Sequence, residues 1–161
     1  MNLGAGLAPN PDERSWLRVD IDPRTRADLY ADARYLPFDN NSIERIHASH
    51  ILEHIPYPET ENVLQEWHRV LALNGFLCLS VPDIGRLASA FLDHSSGDTF
   101  ITFTLQAYAG VNGAFSNHCA AFDREYFLYC LPKLGFTEPE FLPPQTDLEL
   151  RLQVRKESRL G

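Results

Sequence analysis

The chain has 161 residues, 44% of them hydrophobic and 22% charged, with a formal net charge of −8 at pH 7. That size and balance suit one folded domain, residues 1–161, with a core of its own. An acidic chain with no basic stripe excludes a nucleic-acid phosphate binder, and no apolar run reaches the roughly 18 residues of a membrane span.

Cys78, Cys119 and Cys130 are an odd number at wide spacing, which reads neither as a disulfide framework nor as a zinc set. They are expected to be packing thiols in a reducing compartment. With no apolar leader core near the N-terminus, the expected location is the cytoplasm.

In chain order, Gly4-Ala5-Gly6 forms a turn three residues from the start, so the first strand is Met1 to Leu3 and the fold is read as shortened there. "WLRVDID" (Trp16 to Asp22) is a short apolar run closed by acids and Pro23, a buried strand entering a loop. "ADLYADARYLPF" carries a weaker strand with Asp32 at its exit, and "SIERIHAS" alternates over its second half. A helix follows, with Thr60 as expected N-cap. Val63, Leu64, Trp67, Val70 and Leu71 lie on one face, and Asn74-Gly75 is read as a left-handed C-cap. "FLCLSV" (Phe76 to Val81) then reads as a strand buried on both faces.

Strand, helix, strand with tight joins predicts parallel pairing. A second helix is predicted over 123–134, capped by Asp123 and closed by Gly135. "LELRLQVRK" alternates with a period of two, as an antiparallel strand near a sheet edge does. The expected fold is α/β, a doubly wound Rossmann-like, mostly parallel sheet of about six or seven strands. Residues 85–117, rich in aromatics and glycines, are read as a lid or substrate-binding segment.

The expected strand ends carry the chemistry. Ligands of doubly wound sheets bind across these ends. Gly4, Ala5 and Gly6 let a ligand approach the backbone, and an acid after the next strand, Asp20, can take both hydroxyls of a ribose. Asp32 can accept from an adenine amino group, and Ser49-His50 end the fourth strand. The set describes an adenosine-bearing ligand.

"NLGAG", "VDIDP", "ADARYLPFDNNSIERIHASHILEHI", "EWHRVLALNGFLCLSVPD" and "HCAAFDREYFLYCLPKLGF" resemble successive motifs of class I S-adenosylmethionine-dependent methyltransferases. They are most similar to a short bacterial branch whose members often accompany polysaccharide and glycosyltransferase genes. The resemblance covers residues 1–142. It implies S-adenosylmethionine as cofactor and a small-molecule or sugar acceptor. Gly4, Ala5 and Gly6 would line the methionine part, Asp20 with Ile21 the ribose, Asp32 with Ala33 the adenine, and Ser49 with His50 the floor near the sulfonium.

Methyl transfer from a sulfonium is an in-line displacement in which positioning supplies much of the acceleration. Oxygen, nitrogen and carbon acceptors all stay open; if the acceptor is a hydroxyl, His118, which closes the lid segment, is the expected catalytic base, with Asp83 and Tyr108 orienting that acceptor. "HASHILEH" spaces His47, His50 and His54 at i, i+3 and i+7. His47 falls in a strand and Pro56 bars a longer helix, so no metal is expected. His68 and His94 are read as surface residues. Two other readings stand: a methyltransferase-like binding domain that is non-catalytic or is completed by a second copy or a partner chain, and a dinucleotide-dependent oxidoreductase. The missing third glycine counts against the latter.

Overall fold

A computed structural model of the chain describes residues 1–6, 16–93, 108 and 117–157. Seven strands form one sheet: β1 (Asn2–Leu3), β2 (Arg18–Asp20), β3 (Leu29–Tyr30), β4 (Ile43–Ser49), β5 (Leu71–Pro82), β6 (Glu140–Leu142) and β7 (Glu149–Arg155). Their order across the sheet is β3-β2-β1-β4-β5-β7-β6. β1 to β5 pair in parallel, and β7 runs antiparallel to β5 and β6. From β1 the chain builds outward to β2 and β3, then returns to place β4 on the other side of β1. That reversal is a topological switch, and a crevice opens beyond the strand ends at such a point.

Val19, Ile46, Ala48, Leu77, Leu79 and Val81 are at most 1% exposed, and in β4 and β5 they alternate with half-buried His47, Phe76 and Cys78. One face of these strands is therefore fully covered and the other only in part, where the sequence predicts both faces of Phe76 to Val81 buried. α1 (Thr60–Val70) buries Val63, Leu64, Trp67 and Val70. α2 (Ile84–Leu92) starts at Asp83, whose side chain accepts from the Gly85 and Arg86 amides. α3 (Arg124–Lys133) starts at Asp123, which accepts from the Tyr126 amide at 2.8 Å. It is followed by Gly135 at φ +88°, as the sequence predicts.

Three local expectations are corrected. Thr60 is not the N-cap of α1: Glu59 takes that place without a side-chain bond, and Thr60 is the first helical residue. The helix also stops at Val70, short of Asn74-Gly75. Its last carbonyls are taken by other partners, which removes the need for a glycine cap. The Asn41 and Ser42 amides donate to Arg69 O and Val70 O, and Lys156 Nζ donates to His68 O at 2.6 Å. Asn74 does adopt φ +61°, but inside a longer β5 whose register against β4 shifts between Ile43 and Arg45. Finally, His68 is a half-buried strut. Its Nε2 lies 3.1 Å from the Gly135 carbonyl and its ring packs edge-on against Phe136.

β7 is paired on both sides, so the edge itself is the three-residue β6, too short to show a period. The segment read as a lid begins with α2. Apart from Tyr108 and Asn117, residues 94–117 lie outside the described residues, His94 among them. No described helix is long and apolar enough to cross a membrane.

Candidate active site

At the switch point lies a cleft of about 520 Å³. Gly4, Gly6, Asp20, Ile21, Asp32, Ala33 and His50 all line it, as does His54. Of the nine predicted cofactor residues, Ala5 and Ser49 are not on its wall: Ala5 sits between the two lining glycines, and Ser49 closes β4.

The glycine turn is held from below. Gly4 and Gly6 take φ +66° and +64°, a region that costs an L side chain about 1–2 kcal/mol. The Gly6 amide donates to Asp20 Oδ2 at 2.8 Å, and the Asp22 amide donates to Oδ1 at 2.9 Å. Asp20 is 9% exposed. Each of its oxygens keeps a further lone pair, so the carboxylate can bind a diol while holding the turn. Asp22 packs beside it with Arg24, whose hydrogen bonds hold its carboxyl below the usual range.

Across the cleft Asp32 pairs with Arg34 at 2.7 Å, and that contact lowers its pKa. The Ala33 carbonyl accepts from Trp67 Nε1 at 3.0 Å. Trp67 is wholly buried, so α1's core anchor also fixes the loop against which an adenine would lie. No local signal in "EWHRV" announces this bond, because its acceptor is 34 residues away.

The other end of the cleft is built by a short 3₁₀ turn, Leu52–His54. His50 precedes it at φ +53°, and its Nδ1 lies 3.1 Å from Glu53 Oε1. That contact raises the His50 pKa. Glu53 is fully buried, and its carbonyl accepts the Cys119 and Ala120 amides. Those bonds strap residues 117–120 onto the turn. His118 therefore stands beside His54, ring centroids 5.0 Å apart, with Tyr108 against its other side at 4.7 Å. Burial lowers the His118 pKa and pushes Tyr108 up to about 12.

His118 and Tyr108, predicted to act together, are thus adjacent, next to the cleft through His54. Asp83 is elsewhere: it caps α2 and pairs with Arg86 at 3.3 Å. His47 points away from His50 and His54, its ring edge-on to Trp16. Glu53 is a member of the site to which the sequence reading gave no role, although it stands among the histidines of "HASHILEH". That position was the available signal.

The chain matches the methyltransferase domain family over residues 7–79, a span that carries Asp20, Asp32, Ser49 and His50. Among solved structures, a SAM-dependent methyltransferase from Archaeoglobus fulgidus superposes with a TM-score of 0.62 at 13% identity, covering 86% of this chain and 74% of that one. A chain of the complex between the Haloferax volcanii Trm112 methyltransferase activator and a methyltransferase gives 0.62 at 15%, covering 99% and 82%. The CurJ carbon methyltransferase gives 0.56 at 16%, with 81% of this chain covered. The present chain spans only 35% of the CurJ chain's length. No curated protein matches. The family match over residues 7–79 and the shared fold make this chain similar to S-adenosylmethionine-dependent methyltransferases, and they do not favour the dinucleotide reading.

Proposed function

We propose that the chain transfers the methyl group of S-adenosylmethionine to a hydroxyl of a small-molecule or sugar acceptor. The observation that carries this reading is the position of Asp20. A buried acid at the end of β2 holds the positive-φ glycine turn of β1, inside a cleft that also presents Asp32 and Ala33. The group fits the wall. Among the described residues nothing lies within 4 Å of a Cβ built on Gly6, which leaves room on that side for a ligand to approach the backbone. The cofactor supplies an electrophilic methyl on a sulfonium. The chain's own residues hold the ribose (Asp20, Ile21), flank the adenine (Asp32, Ala33) and floor the sulfonium end (His50), with Ser49 behind it at the close of β4.

His118, kept neutral by burial, offers a ring-nitrogen lone pair on the acceptor side, and Tyr108 stands against its ring. A hydroxyl brought to that nitrogen can be relieved of its proton. The net charge of −8 suits a neutral acceptor better than a polyanion. Three free thiols fit a reducing cytoplasm. The likeness to a chain of an activator complex supports a second reading, in which this domain works with a partner chain.

Thermal unfolding with and without millimolar S-adenosylhomocysteine tests the reading. A ligand at a hundred times its dissociation constant adds about 2.7 kcal/mol, a rise in Tm of roughly 5–10 °C at this size. The rise should vanish in Asp20→Ala and should not occur with NAD. No rise, or one that survives in Asp20→Ala, overturns it.

A further inference from the structure

Glu53, His54 and His118 each offer one ligand atom, and the three atoms lie within 4.8 Å of one another. Their other contacts single out which atoms are open. Glu53 Oε1 is engaged by His50, whereas Oε2 is buried and has no hydrogen-bond partner among the described residues. His54 Nδ1 faces the Asn117 carbonyl at 2.9 Å. A carbonyl only accepts, so Nδ1 carries the hydrogen and Nε2 keeps its lone pair. His118 Nδ1 is buried without a partner as well. A fully buried carboxylate oxygen left bare is costly unless something cationic meets it. Tyr108 Oη and Asn117 Oδ1 are also buried and without a partner among the described residues, and the Tyr108 ring packs against His118.

From this geometry we infer that Glu53, His54 and His118 form a divalent transition-metal site of the zinc class, next to the cofactor cleft. The inference rests on the methyltransferase reading only for the use of the ion, not for its binding. Two imidazoles and one carboxylate are a donor set that zinc takes with a fourth position open. At bond lengths near 2.1 Å, tetrahedral ligands stand roughly 3.4 Å apart, so the three side chains close inward by about 1 Å on binding. The His54 Nδ1–H bond to the Asn117 carbonyl is the outer contact that fixes the tautomer and ring of a ligating histidine. His50 does the same for the carboxylate. His54 lines the cleft as well as the cluster, so the ion would stand at the sulfonium end.

The open position suits an acceptor hydroxyl. With the ion in place His118 would be a ligand and not the base, and the bound hydroxyl would release its proton to solvent more readily. The oxygen's electron pair then forms the bond to the methyl carbon as the carbon–sulfur bond breaks, and that bond's electron pair stays on sulfur. The product is a methyl ether and the neutral demethylated cofactor.

The test strips the full-length chain with a chelator and dialyses it against zinc at neutral pH, with zinc per chain and S-adenosylhomocysteine binding measured on the same sample. One ion per chain is expected. Glu53→Gln and His118→Ala should each weaken zinc at least tenfold, with circular dichroism checking that both are folded. Cobalt(II) in place of zinc should give a visible d–d absorption that His118→Ala abolishes. No zinc bound by a chain that binds S-adenosylhomocysteine overturns the site. So does zinc that both variants retain in full, which would place it on thiols such as Cys119. Zinc bound at one per chain and lost in the variants, with no S-adenosylhomocysteine bound, upholds the site and overturns the methyltransferase reading instead.

Discussion

The Gly6 amide and Asp20 Oδ2 meet at 2.8 Å, and the other oxygen of the same carboxylate accepts the Asp22 amide. One acid therefore ties the turn after β1 to the turn after β2. Both of its oxygens face N–H donors, so Asn, although the same shape, must turn its own NH2 against one of them. We expect Asp20→Asn to lower stability by about 1–3 kcal/mol and to weaken S-adenosylhomocysteine at least tenfold. Urea unfolding and calorimetric titration read the two effects. An Asn variant with unchanged affinity would show that the acid does not hold the ligand.

Gly4 and Gly6 share a backbone conformation but not surroundings. A Cβ on Gly4 would stand 2.9 Å from Ile51 Cδ1, whereas one on Gly6 meets nothing within 4 Å among the described residues. Gly6→Ala should cost only the left-handed penalty, about 1–2 kcal/mol. Gly4→Ala should cost roughly 1 kcal/mol more, and in an Ile51→Ala background that excess should shrink. The coupling, read from a double-mutant cycle of unfolding free energies, should exceed about 0.5 kcal/mol. Equal costs at the two glycines would contradict the packing described.

What the sequence made legible was local in origin. The Gly4–Gly6 turn, Asp20 at a strand end, the buried run ending at Val81, the Asp123 cap and the alternation of β7 all lie within a dozen residues of their cause. What stayed hidden depends on pairs distant along the chain. Glu53 meets residues 117–120 through main-chain bonds that no periodicity records. The Trp67 bond to Ala33 spans 34 residues. The α1 boundary was misread for the same reason, since a left-handed Asn-Gly mimics a helix stop when the true stop is supplied by Lys156.

Lys156 is 7% exposed, and its Nζ donates to Asn41 Oδ1, His68 O and Leu71 O at 2.6–3.0 Å. The cation sits at the negative end of α1, where it also complements the helix dipole. Lys156→Met keeps most of the stem packing but leaves those oxygens without their donor. The expected loss is about 2–3 kcal/mol in urea unfolding. A loss below about 0.5 kcal/mol would mean that water replaces the ammonium and that the Asn41 and Ser42 amides suffice to end the helix.

Glu66 ties α1 to the loop after β3: Oε1 accepts from the Leu36 amide at 2.8 Å, and Arg69 donates to both oxygens at 2.7 and 2.8 Å. The Arg69 hydrogen bonds are the main cause of its lowered pKa, with the Leu36 amide adding to them. Above the unfolded value, about 4.3, the carboxylate is ionised in both states and its contribution is complete. As pH falls further, the unfolded chain takes up the proton first, and the contribution drains away until the folded group protonates too. Glu66→Gln keeps an oxygen for the Leu36 amide but gives up the ion pair. It should therefore cost roughly 1–2 kcal/mol at pH 7, and the gap from the parent should narrow as pH drops below about 4. Unfolding free energies measured from pH 7 down to 3 check this. A gap that stays constant with pH would mean that Glu66 acts through packing alone, with Arg69 adding nothing through its charge.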